Sequence, residues 1–115
     1  MRTNAVLIKS FNFALRIIKL SRKLQQQREF VISNQLLRAG TSVGAQVEEA
    51  QAGQSRRDFI AKISIASKEA REARYWLRLL KESGIAEVDT DEELEDVEEL
   101  IRILTAIVKT ASRTQ

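Results

Sequence analysis

Apolar residues recur along most of the chain at intervals of three and four, the spacing of one helical face rather than the alternation of a strand. The pattern is clearest from Ser55 to Ser83, where Phe59, Ile63, Ala66, Ala70, Ala73, Leu77 and Leu80 form a heptad seam. Ser55 suits an N-cap, Asp58 favours the positive end of the helix, and Gly84 is a fitting stop. At 1.5 Å per residue the segment is roughly 43 Å long, the length of a strut in a bundle.

The flanking segments read the same way. A first helix is expected from about Thr3 to Gln26, with two apolar stripes side by side: Leu7, Phe11, Ala14 and Ile18, then Phe13, Ile17, Leu20 and Leu24. Two stripes are wider than the roughly 100° that one internal core demands. The surplus is met either by a subunit interface or by two neighbouring helices of one bundle. After a polar join at Gln25 to Arg28, a second helix runs from about Val31 to Gln51, with Ser33 as an alternative cap. It buries Ile32, Leu36, Ala39, Gly40, Val43, Val47 and Ala50. Its two interior glycines each cost about 1 kcal/mol against alanine, which close approach of another helix would offset. Ala52-Gly53-Gln54 turns into the third helix. An acidic loop then leads to a fourth, capped by Asp89 or Thr90, with Leu94, Val97, Ile101, Leu104, Val108 and Ala111 on its buried side. Short joins between four helices imply an all-α, antiparallel up-down-up-down bundle, with residues 1–115 as a single domain.

Composition agrees and closes off several chemistries. There are 115 residues, four glycines and no proline, so helix breakers are scarce. Neither cysteine nor histidine occurs, which removes disulfides, thiol nucleophiles, the usual zinc sites and the neutral-pH proton shuttle. No cofactor is implied. The N-terminus lacks the pattern of a secretory signal, and no stretch approaches the roughly 20 apolar residues of a membrane span. A cytoplasmic location without membrane contact is the expectation.

The net charge of +3 hides a segregation. Residues 1–81 hold 16 Lys and Arg against six Asp and Glu, whereas residues 82–115 hold three against ten. The carboxylates of the fourth helix are expected to meet Arg22, Lys23, Arg74, Arg78 and Lys81. The opposite end of the bundle gathers Arg2, Lys9, Arg56, Arg57, Lys62, Arg102, Lys109 and Arg113 against Glu48, Glu49 and Asp58. Such an end suits salt-sensitive, sequence-independent contact with phosphates, or is simply a solvated surface. On the third helix, Asp58, Lys62, Glu69, Glu72 and Trp76 share an edge beside the apolar seam. They read as a polar seam fixing register or subunit contacts, as a solvated edge, or as a carboxylate site at Glu69 and Glu72, although the di-iron pattern would need histidine. Tyr75 beside Trp76 offers packing or a stacking platform for a base.

Motif content adds a resemblance. Gln35-Leu36-Leu37-Arg38-Ala39-Gly40-Thr41-Ser42-Val43-Gly44-Ala45, Glu49-Ala50-Gln51, Asp58-Phe59-Ile60-Ala61-Lys62, Ser67-Lys68-Glu69-Ala70-Arg71-Glu72, Tyr75-Trp76-Leu77 and the closing Leu104 to Thr110 closely resemble bacterial four-helix bundle proteins. These are related to the proteins encoded in intervening sequences of large-subunit ribosomal RNA genes. The resemblance implies a left-handed bundle assembled into a ring, commonly a homopentamer. It is also similar to the accessory protein of diversity-generating retroelements, a basic pentameric barrel that contacts a reverse transcriptase and nucleic acid. Gln46 departs from the asparagine usual in the family. Together these readings point to a non-enzymatic homo-oligomer binding RNA or DNA through its basic end, alongside a nucleic-acid enzyme. The alternative is a protein-interaction module that uses exposed apolar helix faces without nucleic acid.

Overall fold

The computed structural model describes residues 2–113, and side chains from residue 5 onward. Four helices occupy them: α1 (Arg2–Gln26), α2 (Val31–Gln51), α3 (Arg56–Ser83) and α4 (Asp91–Arg113). No strand occurs among the described residues. The molecule measures 48 × 21 × 21 Å, as expected where helices of this length lie side by side. None of the described helices is long and apolar enough to cross a membrane.

The helix ends show local chemistry at work. Ser55 is extended, and its hydroxyl accepts from the Asp58 amide at 3.1 Å, which starts α3. Gly84 closes α3 with φ 62°, a conformation that costs an L-residue about 1–2 kcal/mol. At α2 the cap differs from the one read in the sequence. Ser33 is fully buried, and its hydroxyl donates to the Ser21 carbonyl of α1 at 3.2 Å. Glu29 takes the capping role instead, accepting from the Ile32 amide at 2.9 Å. At α4 the capping oxygen comes from Asp89, which accepts from the Asp91 amide at 2.9 Å.

Every helix turns its expected seam inward. Phe13, Ile17, Leu20 and Leu24 meet Leu36, Ala39, Val43 and Val47, then Ile63, Ala66, Ala70, Ala73 and Leu77, then Val97, Leu100 and Leu104. Sequential helices pack together, α1 also meets α4, and the α1–α4 pairing is the sparsest. Contacts run in opposite directions along neighbours. On α1 and α2, Ser21 pairs with Ser33 while Ser10 lies against Gly44. On α3 and α4, Lys81 meets Asp91 and Arg71 meets Thr105.

Gly40 shows why the middle of α2 is small. A Cβ there would lie 2.9 Å from both Cγ1 and Cγ2 of Ile17, and one at Gly44 would lie 3.3 Å from the Ser10 carbonyl oxygen. Gly40→Ala should therefore lose stability. Helix propensity favours alanine by about 1 kcal/mol, but overpacking costs about 1–3 kcal/mol. Urea unfolding measures the sum, and a net gain would contradict this account of the α1–α2 contact.

Candidate functional site

The polar edge of α3 divides into two groups. Near its start, Asp58 accepts from the Gln54 amide at 3.3 Å and lies 3.9 Å from the Lys62 ammonium, so this pair secures the turn from α2. Further along, Glu69 and Glu72 are both bound by Arg38 of α2, Glu69 at 3.2 Å. The Trp76 indole N–H donates to the same Glu72 oxygen at 3.1 Å, and the Tyr75 ring stands edge-on to Trp76 at 5.3 Å. One guanidinium thus bridges two carboxylates across two helices, and one of those carboxylates also accepts from an indole. Sequence reasoning missed Arg38 because the wheel of α3 says nothing about which α2 residue lies opposite. Gln46, the family departure, sits on the same helix with its side-chain oxygen buried and without a hydrogen-bond partner among the described residues.

This clasp changes the reading of Glu69 and Glu72. One oxygen of each is bound by Arg38, that of Glu72 also by Trp76, and no group of three or more acidic residues is placed to hold a metal ion among the described residues. Glu69 is the more buried partner, with 16% of its side chain exposed.

The end of α2, the start of α3 and the end of α4 come together around one cleft. Arg57, Lys109 and Arg113 are exposed there, and Arg56 borders the cleft with Gln51, Gly53, Phe59 and Ala111. The side chain of Arg2 lies outside the described residues. One cation assigned to this group is engaged by a carboxylate from outside it, which reduces the excess of charge, and a second is paired within it. Lys9 binds Glu99 of α4 at 3.0 Å, and Lys62 faces Asp58. Arg102 is exposed on α4, roughly three turns back from Arg113.

The acidic half of α4 is neutralised by other partners than expected. Lys81 does bind Asp91 at 3.0 Å, but Arg16 of α1 takes Glu92 at 3.0 Å and Asp96 at 3.1 Å. Arg22, Lys23, Arg74 and Arg78 form no ion pair among the described residues. Hydrogen bonding to Glu92 raises the Arg16 guanidinium above its usual pKa, and Asp91 does the same for Lys81. Burial pushes the Glu93 carboxyl up, and the neighbouring Glu92 adds to the shift.

Of the stripe Leu7, Phe11, Ala14 and Ile18, only Phe11 and Ile18 are left outward, joined by Ile8 and Leu15, while Leu7 packs against the core and Ala14 is half-buried. Ile8 and Phe11 are 62% and 61% exposed, Leu15 and Ile18 43% and 41%. Lys9 and Arg16 mark the α4 side of α1, and Ser10 and Ile17 its α2 side. Helical phase therefore places Leu7, Ala14 and Ile18 along the α1–α2 flank, with Phe11 and Leu15 beyond them.

The clasp generates a direct test. Arg38→Met leaves two carboxylates one helical turn apart with no counter-charge and should cost about 1 kcal/mol in urea unfolding. Arg38→Lys should recover less than half of that, because an ammonium cannot fork between two acceptors. Equal stability of all three proteins would contradict the clasp.

Known proteins are similar to this chain in sequence and fold. The model of the 23S rRNA-intervening sequence protein family matches residues 2–106. No curated protein matches. A solved structure from Bacteroides thetaiotaomicron, described as a protein with unknown function from the S23 ribosomal protein family, is 45% identical. The alignment covers 95% of this chain and 99% of that one, and the TM-score is 0.88. Sequence and fold thus agree over nearly the whole length, and the chain belongs to the 23S rRNA-intervening sequence protein family.

Proposed function

We propose that the protein is a non-enzymatic scaffold: a left-handed up-down-up-down bundle that assembles into a ring of identical copies, a pentamer being favoured, and holds RNA or DNA at its basic end. The observation that carries this reading is the outward stripe of α1. Four large apolar side chains, Ile8, Phe11, Leu15 and Ile18, stand on one helix, each at least 41% exposed. Covering them would contribute on the order of 1 kcal/mol each. A second copy of the same chain is the simplest cover, because an isologous or cyclic contact needs no other gene product.

Repetition around a ring multiplies Arg57, Lys109 and Arg113, so a modest patch on one chain becomes a strongly basic surface on the assembly. Contacts of this kind release counterions, and affinity falls steeply with salt. A nucleic-acid enzyme would then meet the scaffold on the strand that both hold. The rival reading keeps the stripe but docks a helix of another protein on it, with no role for nucleic acid.

Light scattering separates the two readings. The wild-type protein should have a multiple of the 13.1 kDa chain mass, and the pair Phe11→Lys with Ile18→Lys should fall to a single chain while keeping its helicity. In filter binding, RNA or single-stranded DNA should be retained at low salt and released as salt rises, and Arg56→Glu with Arg57→Glu should weaken retention. A single-chain mass for the wild type would contradict the ring. Absent or salt-indifferent retention would contradict the nucleic-acid role.

A further inference from the structure

A groove runs between α3 and α4 on the flank opposite the outward stripe of α1. Its walls are mostly apolar surface, with Val108 between the helices, and carry four hydroxyls, Ser64 and Ser67 on α3 and Thr105 and Ser112 on α4. Arg71, Lys109 and Arg113 stand among them. No carboxylate among the described residues lines it. The segregation of charge along α4 explains that absence: its acidic residues stop at Glu99, and the groove begins at Thr105.

The spacing is regular. On α3 the lining residues follow at three and four, and on α4 at three, four, seven and eight, so each helix contributes one continuous row. The Arg71 guanidinium donates to the Thr105 hydroxyl at 3.4 Å across the groove, which fixes it between the rows. From Thr105 to Arg113 the groove extends roughly 12 Å, about three nucleotides of a stacked strand at 3.4 Å each.

We propose that this groove binds the phosphate backbone of a single nucleic-acid strand, about three consecutive phosphates, with Arg71, Lys109 and Arg113 supplying charge and the hydroxyls supplying donors. The inference rests on the nucleic-acid reading above and moves the contact from the tip of the bundle to its side. Hydroxyls and cations suit phosphate oxygens, and cation contacts to phosphate position a strand without reading its sequence. No aromatic ring lines the groove, so base stacking adds no preference. Lys109 and Arg113 lead from the groove onto the basic end.

Fluorescence anisotropy with a labelled oligouridine and a labelled oligothymidine, titrated with salt, tests the site. The triple variant Arg71→Gln, Lys109→Gln, Arg113→Gln should bind at least about tenfold more weakly, and its salt slope should fall by about 2, at roughly 0.7 for each phosphate no longer neutralised. The matched triple Lys19→Gln, Arg22→Gln, Lys23→Gln removes the same charge from α1 and should change affinity far less. If both triples weaken binding equally, or neither does, the groove is overturned while the nucleic-acid role stands. If the wild type binds neither oligonucleotide, both fall. Should the groove triple melt early by circular dichroism, Lys109→Gln alone must lower the slope by about 0.7, and an unchanged slope would overturn the proposal.

Discussion

The close approach of α1 and α2 at Gly40 decides most of what this molecule presents to its surroundings. With Ile17 pressed to where a Cβ would stand, and Ser10 against Gly44, α1 has one rotation that fits. That rotation sends Phe13, Ile17, Leu20 and Leu24 inward and leaves Ile8, Phe11, Leu15 and Ile18 outside. It also aims Lys9 and Arg16 at the acidic half of α4. A small-residue contact therefore sets an apolar face and an electrostatic seam together.

The electrostatics follow from that seam. The α1–α4 pairing is the sparsest in the bundle, and ion pairs to Glu92, Asp96 and Glu99 span it. Such exposed pairs contribute little stability each, but they take up most of the carboxylates on one side. Arg57, Lys109 and Arg113 at the end, with Arg71 beside the last two on the flank, are left without those partners, and there we propose that a polyanion settles.

Helical periodicity made the four helices and their inner seams legible in the sequence. The α3 boundaries were equally plain, because Ser55, Asp58 and Gly84 act through their own backbone neighbourhood. Features that depend on a second helix were not legible. Ser33 was read as a cap, yet it reaches across to the Ser21 carbonyl. The two stripes of α1 were visible, but which one lies inside depends on Ile17 meeting Gly40. Glu69, Glu72 and Trp76 were placed on one edge correctly, while Arg38 could be found only once the register of α2 against α3 was known. Lys81 apart, the partners of α4 were misassigned for the same reason: a count of charges per end does not tell which flank each one faces.

Everything assigned to the surface returns to the exposed stripe of α1 and to whether neighbouring copies cover it. Hydroxyl-radical footprinting in solution at micromolar concentration reads this directly, with buried Phe13 and exposed Tyr75 as internal references. Phe11 should be modified almost as slowly as Phe13. Modification at a rate near that of Tyr75, as its 61% exposure in a lone chain would give, would contradict the account.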